Sequence, residues 1–232
     1  MQIIYDHTHG FGKMRNQVYI YVPIGALVKE NEHRQALETG WCPLDKNLWF
    51  QTRSTRINVC RYNPDKKLIK KANKIKYFFD ISINDYKKQK FLEIYKKYLT
   101  YKNFHNSDLT FEDIIKNSNG HLYYVYESNI IGFCFFKVLA NSIFAVEFAW
   151  DYENKSISLG KLNIHFLCMY AKMKKYDNVY LSSGYESCSL YKSDYSGFQW
   201  WTGITWSDDV EHYHRLCYSD DEVKIKFNWE TL

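Results

Sequence analysis

The sequence has no pair of cysteines at the C-x-x-C spacing that zinc and iron–sulfur sites commonly use. Its six cysteines are scattered between Cys42 and Cys217, so the pattern gives no support for a bound metal. No apolar run reaches about 18 residues, the length of a membrane-spanning helix, and no membrane partner is expected. The segment from Met1 to Gly10 contains Asp6 and two histidines, unlike a secretory signal. The expected location is a reducing cytoplasm.

Proline is scarce: the 232 residues contain three, at positions 23, 43 and 64. All three fall early in the chain, where turns are frequent and element boundaries are hard to assign. We therefore predict a small, irregular N-terminal region over residues 1–75 and one main domain over residues 76–232. Apolar residues make up 46% and charged residues 25% of the chain, which is typical of a globular protein. The net charge of +5 permits an RNA partner without requiring one, and no DNA partner is expected.

After residue 76 the hydrophobic pattern becomes regular. It predicts, in order, a strand at 77–81, helices at 85–103 and 109–117, strands at 121–127, 130–139 and 143–150, a helix at 160–174 and a strand at 179–183. Tight turns are predicted at Ser128-Asn129 and Ala140-Asn141. The 160–174 helix is amphipathic, and the residues on its apolar face are Leu162, Phe166, Met169, Tyr170 and Met173.

This order of elements resembles that of the GNAT acyltransferase fold. The predicted fold class is therefore mixed α+β, with a GNAT-like central mixed sheet flanked by helices. A right-handed crossover through the 160–174 helix would join the strands on either side of it. In that fold two neighbouring central strands splay apart and leave a slot for the acyl donor.

Two stretches carry recognisable motifs. The first runs from Gly40-Trp41 through the segment 49–59 to Asn63-Pro64 and a lysine-rich stretch. The second contains Asp151, Ser158-Leu159-Gly160, Gly184-Tyr185, Cys188 and Tyr191-Lys192. Their order and spacing are similar to those of the arginyl-tRNA–protein transferase family. The chain departs from that family in lacking an N-terminal cysteine cluster, in having Tyr152 where a proline is expected, and in having Glu186 where a second tyrosine is expected.

The resemblance implies an aminoacyltransferase that moves an aminoacyl group from aminoacyl-tRNA to an amine acceptor, such as a protein N-terminus. The implied partners are aminoacyl-tRNA and an acceptor protein or peptide. No cofactor is implied, because the ester of the tRNA is already activated. The acyl end of the donor is expected in a slot lined by Trp150, Asp151, Gly160, Tyr185, Tyr191 and Lys192.

Three residues are candidates for the catalytic role. Lys192 could pair with the terminal phosphate or orient the ester carbonyl, and Tyr191 could hydrogen-bond the intermediate. Asp151 could bind a cationic substrate group or the amine. The alternatives are a packed tyrosine, a solvated lysine and a turn carboxylate. Glu147 lies in the third strand of the meander, and its side chain could face either the slot or solvent.

Substrate-binding candidates are Trp150, Ser158, Gly160, Tyr185, Arg53 and Arg56. Ser158 and Gly160 stand at a helix N-terminus, where backbone N–H groups suit a phosphate or an oxyanion, although Ser158 could be a plain helix cap. Arg53 and Arg56 would point to opposite faces of an extended chain, so one could contact RNA while the other pairs internally. RNA phosphates could lie along the lysines Lys66, Lys67, Lys70 and Lys71, or these could form a solvated face.

Two other functions remain open from the sequence. A coenzyme A-dependent N-acyltransferase is one, but the stretch 156–161 holds a single glycine where such enzymes carry a glycine-rich loop. A non-catalytic GNAT-like module that binds a peptide or RNA is the other.

Overall fold

The computed structural model describes residues 2–6, 17–21, 30–45, 48–79, 82–102 and 109–227. The last two residues of the strand predicted at 77–81, and the end of the helix predicted at 85–103, lie outside these ranges. The described chain forms two compact units. Unit 1 comprises Met1–Asn63, Leu139–Ser142 and Lys175–Leu232, and unit 2 comprises Pro64–Val138 and Ile143–Lys174. The division of the sequence into 1–75 and 76–232 stays a prediction.

The elements follow one another in an α+β order. They are β1 Gln2–Asp6, β2 Gln17–Tyr21, α1 Glu30–Glu38, β3 Trp41–Asp45, β4 Leu48–Gln51, β5 Ser54–Asn58, α2 Lys66–Ala72, β6 Lys76–Phe79, α3 Asp85–Tyr101, α4 Phe111–Ile115, β7 Gly120–Tyr126, β8 Asn129–Leu139, β9 Ser142–Trp150, α5 Leu159–Lys174, β10 Asn178–Ser183, β11 Phe198–Trp201, β12 Trp206–Ser207 and α6 Val210–Phe227. From β6 to β10 every predicted helix and strand is present, within three residues at the described ends. The predicted fold class, mixed α+β with strands flanked by helices in GNAT-like order, is confirmed.

Each unit has its own strand order. In unit 1, β1-β2-β4-β3 form one sheet, and a second set of strands runs β12-β11-β5-β10. The pairs β10–β5, β11–β5 and β11–β12 are antiparallel. In unit 2 the order is β9-β8-β7-β6, with β6–β7 and β7–β8 antiparallel. The strand β6 therefore stands at one end of this order.

Helices cover both faces of the strands in unit 2. Successive residues of a strand point to opposite faces, and β7 shows this directly. Tyr123 packs on Phe91 of α3, with ring centroids 5.9 Å apart. Tyr124, the next residue, packs on Phe166 of α5 at 5.4 Å. The helix predicted at 160–174 therefore packs on one face of these strands and α3 packs on the other, as expected for a sheet flanked by helices.

The apolar stripe of α5 is covered over only part of its length. Leu162, Phe166 and Tyr170 are buried, as predicted, whereas Met169 is 39% and Met173 64% exposed. All five positions fall on one helical stripe, as predicted, but the contacts that bury Phe166 and Tyr170 do not cover the two methionines.

The two turns of the β7–β8–β9 meander have backbones in the left-handed region. Ala140 and Asn141 have φ values of 47° and 57°, at the predicted position. In the first turn, Glu127 and Ser128 have φ values of 46° and 69°, one residue earlier than predicted. Positive φ at both central residues matches the right-handed twist of hairpin strands, which fixes the register of the turn.

Candidate functional site

The sequence-predicted site residues divide between the two units. Trp150, Asp151, Ser158 and Gly160 belong to unit 2, together with the four lysines of α2, whereas Arg53, Arg56, Tyr185, Tyr191 and Lys192 belong to unit 1. That they line one slot stays a prediction.

In unit 2, a glycine of β8 lets the start of α5 lie against the strands. A Cβ atom on Gly132 would sit 2.6 Å from Cδ2 of Leu159 and 2.9 Å from the carbonyl oxygen of Ala149. Contacts this short are not tolerated, so only glycine fits there. The first turn of α5 and the end of β9 are thereby brought together. Sequence reasoning missed Gly132, because nothing in its neighbourhood marks it as a contact point.

Asp151 directly follows β9 and shapes the turn after it. Its N–H donates to the carbonyl of Ile131 at 2.8 Å, and its Oδ1 accepts from the N–H of Glu153 at 3.1 Å. This is the turn-carboxylate arrangement considered above. Lys97 on α3 has a raised pKa, owing first to Glu153 and then to Asp151. Asp151 therefore lies in an acidic setting that a second cation could share.

An aromatic stack adjoins Asp151. The ring of Trp150, which is buried, lies 4.4 Å from that of Tyr152. Tyr152 in turn stacks on Tyr101 at 3.7 Å, and the ammonium of Lys102 lies 5.5 Å from the Tyr152 ring. Tyr152, which stands where the resembled motif has a proline, is thus a packing residue, and this could not be read from the motif.

The entry to α5 has an open side and a strained residue. Ser158 has a φ of 55°, which is unusual for a residue with a side chain, and its carbonyl accepts from the N–H groups of Lys161 and Leu162 at 3.0 and 3.3 Å. A Cβ atom on Gly160 would reach only Cε1 of Phe148, at 4.0 Å. Strain at a non-glycine residue is one of the features found at ligand sites, and the space beside Gly160 can admit a ligand atom.

Glu147 is the strongest acid–base candidate in unit 2. It lies in β9, is half-buried, and its pKa is raised to about 7, because burial disfavours the charged carboxylate. Hydrogen bonds with the Tyr95 side chain and the Phe148 backbone oppose the shift. The side chain therefore faces α3. Sequence reasoning noted this residue without choosing its direction, and the one available signal was a lone carboxylate in an apolar strand.

In unit 1, Lys192 is neither solvated nor exposed. It is 8% exposed, and its Nζ donates to the carbonyls of Leu181 at 2.8 Å and Ser183 at 2.5 Å. Burial lowers its pKa to about 8, and nearby cysteines oppose the shift only in part. The ammonium thus ties the 3-10 turn at 187–194 to the end of β10. Tyr191, its neighbour, is 38% exposed.

Arg53 and Tyr185 form a network with a residue of α6. The Arg53 Nη1 lies 2.6 Å from Oδ2 of Asp220, and its guanidinium lies 4.6 Å from the centre of the Tyr185 ring. The Tyr185 hydroxyl accepts from the Arg53 N–H at 3.1 Å, and Asp220 accepts from the N–H of Glu186 at 3.1 Å. Asp220 is 167 residues away in sequence, so no local pattern could have identified it.

Arg56 is held by a different set of partners. Its Nη1 lies 3.0 Å from the Glu38 carboxylate, its Nε donates to Gln199 at 3.0 Å, and its guanidinium lies 4.1 Å from the Trp206 ring centre. The two arginines therefore have separate surroundings, and both pair inside unit 1. Their role in substrate binding stays a prediction.

The lysines of α2 are exposed. This helix carries four of them, Lys66, Lys67, Lys70 and Lys71, and its first turn is capped by Asp65.

Over the described ranges, no group of three or more His, Cys, Asp or Glu side chains could hold a metal ion. Nor does any helix in the described ranges combine the length and hydrophobicity needed to span a membrane.

No protein-family model and no curated protein matches this sequence. Among solved structures, L-PGS from Bacillus licheniformis is similar at 9% identity and a TM-score of 0.44, over 61% of this chain and 51% of that one. A GCN5-related N-acetyltransferase from Kribbella flavida is similar at 8% identity and a TM-score of 0.36, over 57% and 48%. A glucosamine N-acetyltransferase region of a fungal GH3 β-N-acetylglucosaminidase has 13% identity and a TM-score of 0.41, over 78% and 23%. The matched part spans about half or less of each of those proteins.

Proposed function

We propose that this chain is an aminoacyltransferase that moves an aminoacyl group from aminoacyl-tRNA to an amine acceptor. The observation that carries the proposal is Glu147, a half-buried carboxyl whose pKa of about 7 lies near neutral pH. The motif resemblance to arginyl-tRNA–protein transferases and the GNAT-like order of elements support the same reading. An amine acceptor is protonated at neutral pH, so the reaction needs a base of this kind.

The chemistry needs one bond made and one broken. The neutral amine nitrogen attacks the ester carbonyl carbon, the bond from that carbon to the ribose oxygen breaks, and an amide remains. Glu147 takes one proton from the ammonium before the attack, and the ribose oxygen leaves as a hydroxyl with a second proton, which the attacking nitrogen gives up as the amide forms. The hydrogen bond with Tyr95 holds the Glu147 carboxyl in place. Positioning accounts for much of the rate enhancement, because the ester is already activated.

Asp151 takes a different role from Glu147 in this proposal. The two residues are four apart in or next to β9, which corresponds to about 13 Å along an extended strand. They cannot both hold the reacting amine. Asp151 instead binds a second cationic group, and an arginyl side chain on the donor is the group implied by the motif resemblance. The amine is left to Glu147.

Donor binding involves the start of α5 and the lysines of α2. The backbone N–H groups at the helix N-terminus and the open side of Gly160 suit an oxyanion or a phosphate. Lys66, Lys67, Lys70 and Lys71 would meet phosphates further along the tRNA. In unit 1, the two backbone contacts of Lys192 favour a structural role over the predicted contact with a phosphate or the ester, and the predicted hydrogen bond from Tyr191 to the intermediate stays a prediction.

The test supplies the full chain with labelled donors and a pool of acceptor peptides. Arginyl-tRNA, lysyl-tRNA, a mixed aminoacyl-tRNA pool and acetyl-coenzyme A are compared under the same conditions. We expect label to move to a peptide amine from aminoacyl-tRNA and not from coenzyme A. Transfer from acetyl-coenzyme A alone, or no transfer from any aminoacyl-tRNA, would contradict the proposal.

A further inference from the structure

A basic pocket with aromatic walls lies in unit 2, on the face of the strands that α3 covers. It has a volume of about 490 Å³, and its wall includes Lys74, Lys76, Phe78, Tyr86, Lys87 and Tyr123. Phe78 stacks on Tyr123 with ring centroids 5.0 Å apart, and Tyr86 is 68% exposed. The candidate catalytic residues Glu147 and Asp151 do not line this pocket.

Three ammonium groups give the pocket a positive charge. Lys74 and Lys76 are exposed, so their ammonium groups can turn toward a ligand. Lys87 is more constrained, because it donates to the carbonyl of Ser82 at 3.0 Å and lies 5.0 Å from the Tyr123 ring centre. Glu127 is the carboxylate in the wall, and it shares a hydrogen bond with the Tyr126 hydroxyl. The balance of three lysines to one glutamate favours an anion.

The combination of cations with flat rings indicates a nucleotide. Phosphates are met by lysines, and every base has a face that can stack on an exposed aromatic ring. An acidic peptide would use the lysines but would gain little from Tyr86. A free phosphate would leave the aromatic walls unused.

The surroundings of the pocket indicate a strand rather than a single nucleotide. Lys74 follows α2 by two residues, and that helix exposes four more lysines, Lys66, Lys67, Lys70 and Lys71. A ligand of one nucleotide could not reach along this helix, whereas the backbone of an RNA strand could.

We propose that the pocket of Lys74, Lys76 and Tyr86 binds one nucleotide of a single-stranded RNA segment whose backbone continues along α2. Lys74 and Lys76 contact phosphates, and Tyr86 stacks on the base. Glu127 can accept a hydrogen bond from an exocyclic amino group. This inference rests on the proposed function for the identity of the RNA, which would be the donor tRNA, but its binding site is independent of the catalytic residues.

The first experiment measures the binding of a fluorescent single-stranded RNA oligonucleotide to the full chain by anisotropy, over a range of salt concentrations. The double variant Lys74→Gln and Lys76→Gln should lower the affinity at least tenfold and reduce the slope of log affinity against log salt by about 1.4, which is two phosphate contacts on a single strand. The matched control is Lys96→Gln, an exposed lysine of α3 outside the pocket, which should change neither quantity. Equal affinity and slope in the double variant would overturn the inference.

The second experiment separates a base from a phosphate. Tyr86→Ala should weaken RNA binding on the order of tenfold while leaving the binding of polyphosphate, which has no bases, unchanged. Equal loss for both ligands, or for neither, would overturn base stacking. If polyphosphate or an acidic peptide bound the wild-type protein as tightly as RNA, the inference would also be contradicted. If AMP bound with the same affinity as the oligonucleotide, the site would be a pocket for a free nucleotide, and the inference that it binds an RNA strand would be wrong.

The two proposals fail in different ways. If the pocket variants lose RNA binding while no aminoacyl transfer can be detected in wild type, the RNA site stands and the transferase does not. If transfer from aminoacyl-tRNA proceeds with the same KM in wild type and in the pocket variants, the transferase stands and the pocket is not part of donor recognition.

Discussion

Each unit contains an ionisable side chain removed from bulk water, and the two are satisfied differently. Lys192 in unit 1 donates hydrogen bonds to two backbone carbonyls, so two of its three N–H donors are used by the fold. Glu147 in unit 2 has hydrogen bonds with the Tyr95 side chain and the Phe148 backbone, and it remains half-buried. Both have shifted pKa values, to about 8 and about 7. A shifted pKa therefore does not distinguish a structural group from a reactive one, whereas the partners do.

The largest expected effect is the loss of transfer activity when Glu147 is substituted, which tests whether this residue is the reactive one of the two. Glu147→Gln keeps the shape of the side chain but removes the base, and transfer should fall by about 10²–10⁴-fold. In wild type, kcat/KM should rise with pH through an apparent pKa near 7, and this rise should be absent from the residual activity of the variant. The control is Glu153→Gln, an exposed carboxyl near Asp151. Retained activity, or the same pH profile in both proteins, would return Glu147 to a packing role.

The next effect tests the other side of the comparison, at Lys192. Lys192→Met fills the same volume but leaves the carbonyls of Leu181 and Ser183 without their donor. The free energy of unfolding should fall by about 1–3 kcal/mol, the cost of unsatisfied buried polar groups, as measured by urea denaturation. Lys96→Met at an exposed site should change it by less than about 0.5 kcal/mol. If Lys192→Met left stability unchanged while abolishing transfer, Lys192 would be reactive instead.

A smaller effect concerns stability against pH. The folded-state pKa of Glu147, about 7, lies above the ordinary value of 4.5, so the folded protein keeps its proton where the unfolded chain has lost it. The resulting stability is fully present below about pH 4.5 and is lost as the pH rises through about 7. The full difference between the two pKa values corresponds to about 3 kcal/mol, and solvent screening reduces it for a half-buried side chain. The unfolding free energy of wild type should therefore fall by roughly 1–2 kcal/mol relative to Glu147→Gln between pH 4.5 and 7. A constant difference from pH 4.5 to 7.5 would show that Glu147 titrates normally.

The smallest effect on stability is expected at Asp151. Asp151→Asn keeps an oxygen that can accept from the N–H of Glu153, so the free energy of unfolding should change by no more than about 0.5 kcal/mol. If Asp151 binds a cationic group, KM for arginyl-tRNA should rise while kcat stays near that of wild type. A fall in kcat with unchanged KM would instead place Asp151 in the chemical step. Thermal unfolding and steady-state transfer measure the two quantities.

The elements between β6 and β10 could be predicted because their patterns are local. In α3 the apolar residues recur at helical spacing, and β7 to β9 are separated by two-residue turns. The direction of Glu147 could not be predicted in the same way. β9 is apolar on both sides, since helices cover both faces of the unit 2 strands, and alternation then no longer identifies one face as solvent.

The candidate site was harder to predict than the fold, because its decisive contacts are distant in sequence. Arg53 meets Asp220 across 167 residues, and nothing in the segment around Arg53 indicates a partner in α6. The motif placed Lys192 next to Tyr191, but a motif cannot show that one of them is buried and the other exposed. Gly132 becomes meaningful only once α5 is seen to lie against it.

Because the ammonium of Lys192 is buried, the rate at which it is chemically labelled can report local opening of unit 1. An amine-reactive label needs the neutral amine and a path to it, and solvated lysines offer both readily at alkaline pH. Lys192, whose pKa is lowered to about 8, provides the neutral amine more readily than they do, but a reagent cannot reach it until its hydrogen bonds to the carbonyls of Leu181 and Ser183 break. In a labelling time course followed by mass spectrometry, the modification of this one side chain should lag far behind that of exposed lysines. Its rate would then report how often the end of β10 comes apart in the native protein.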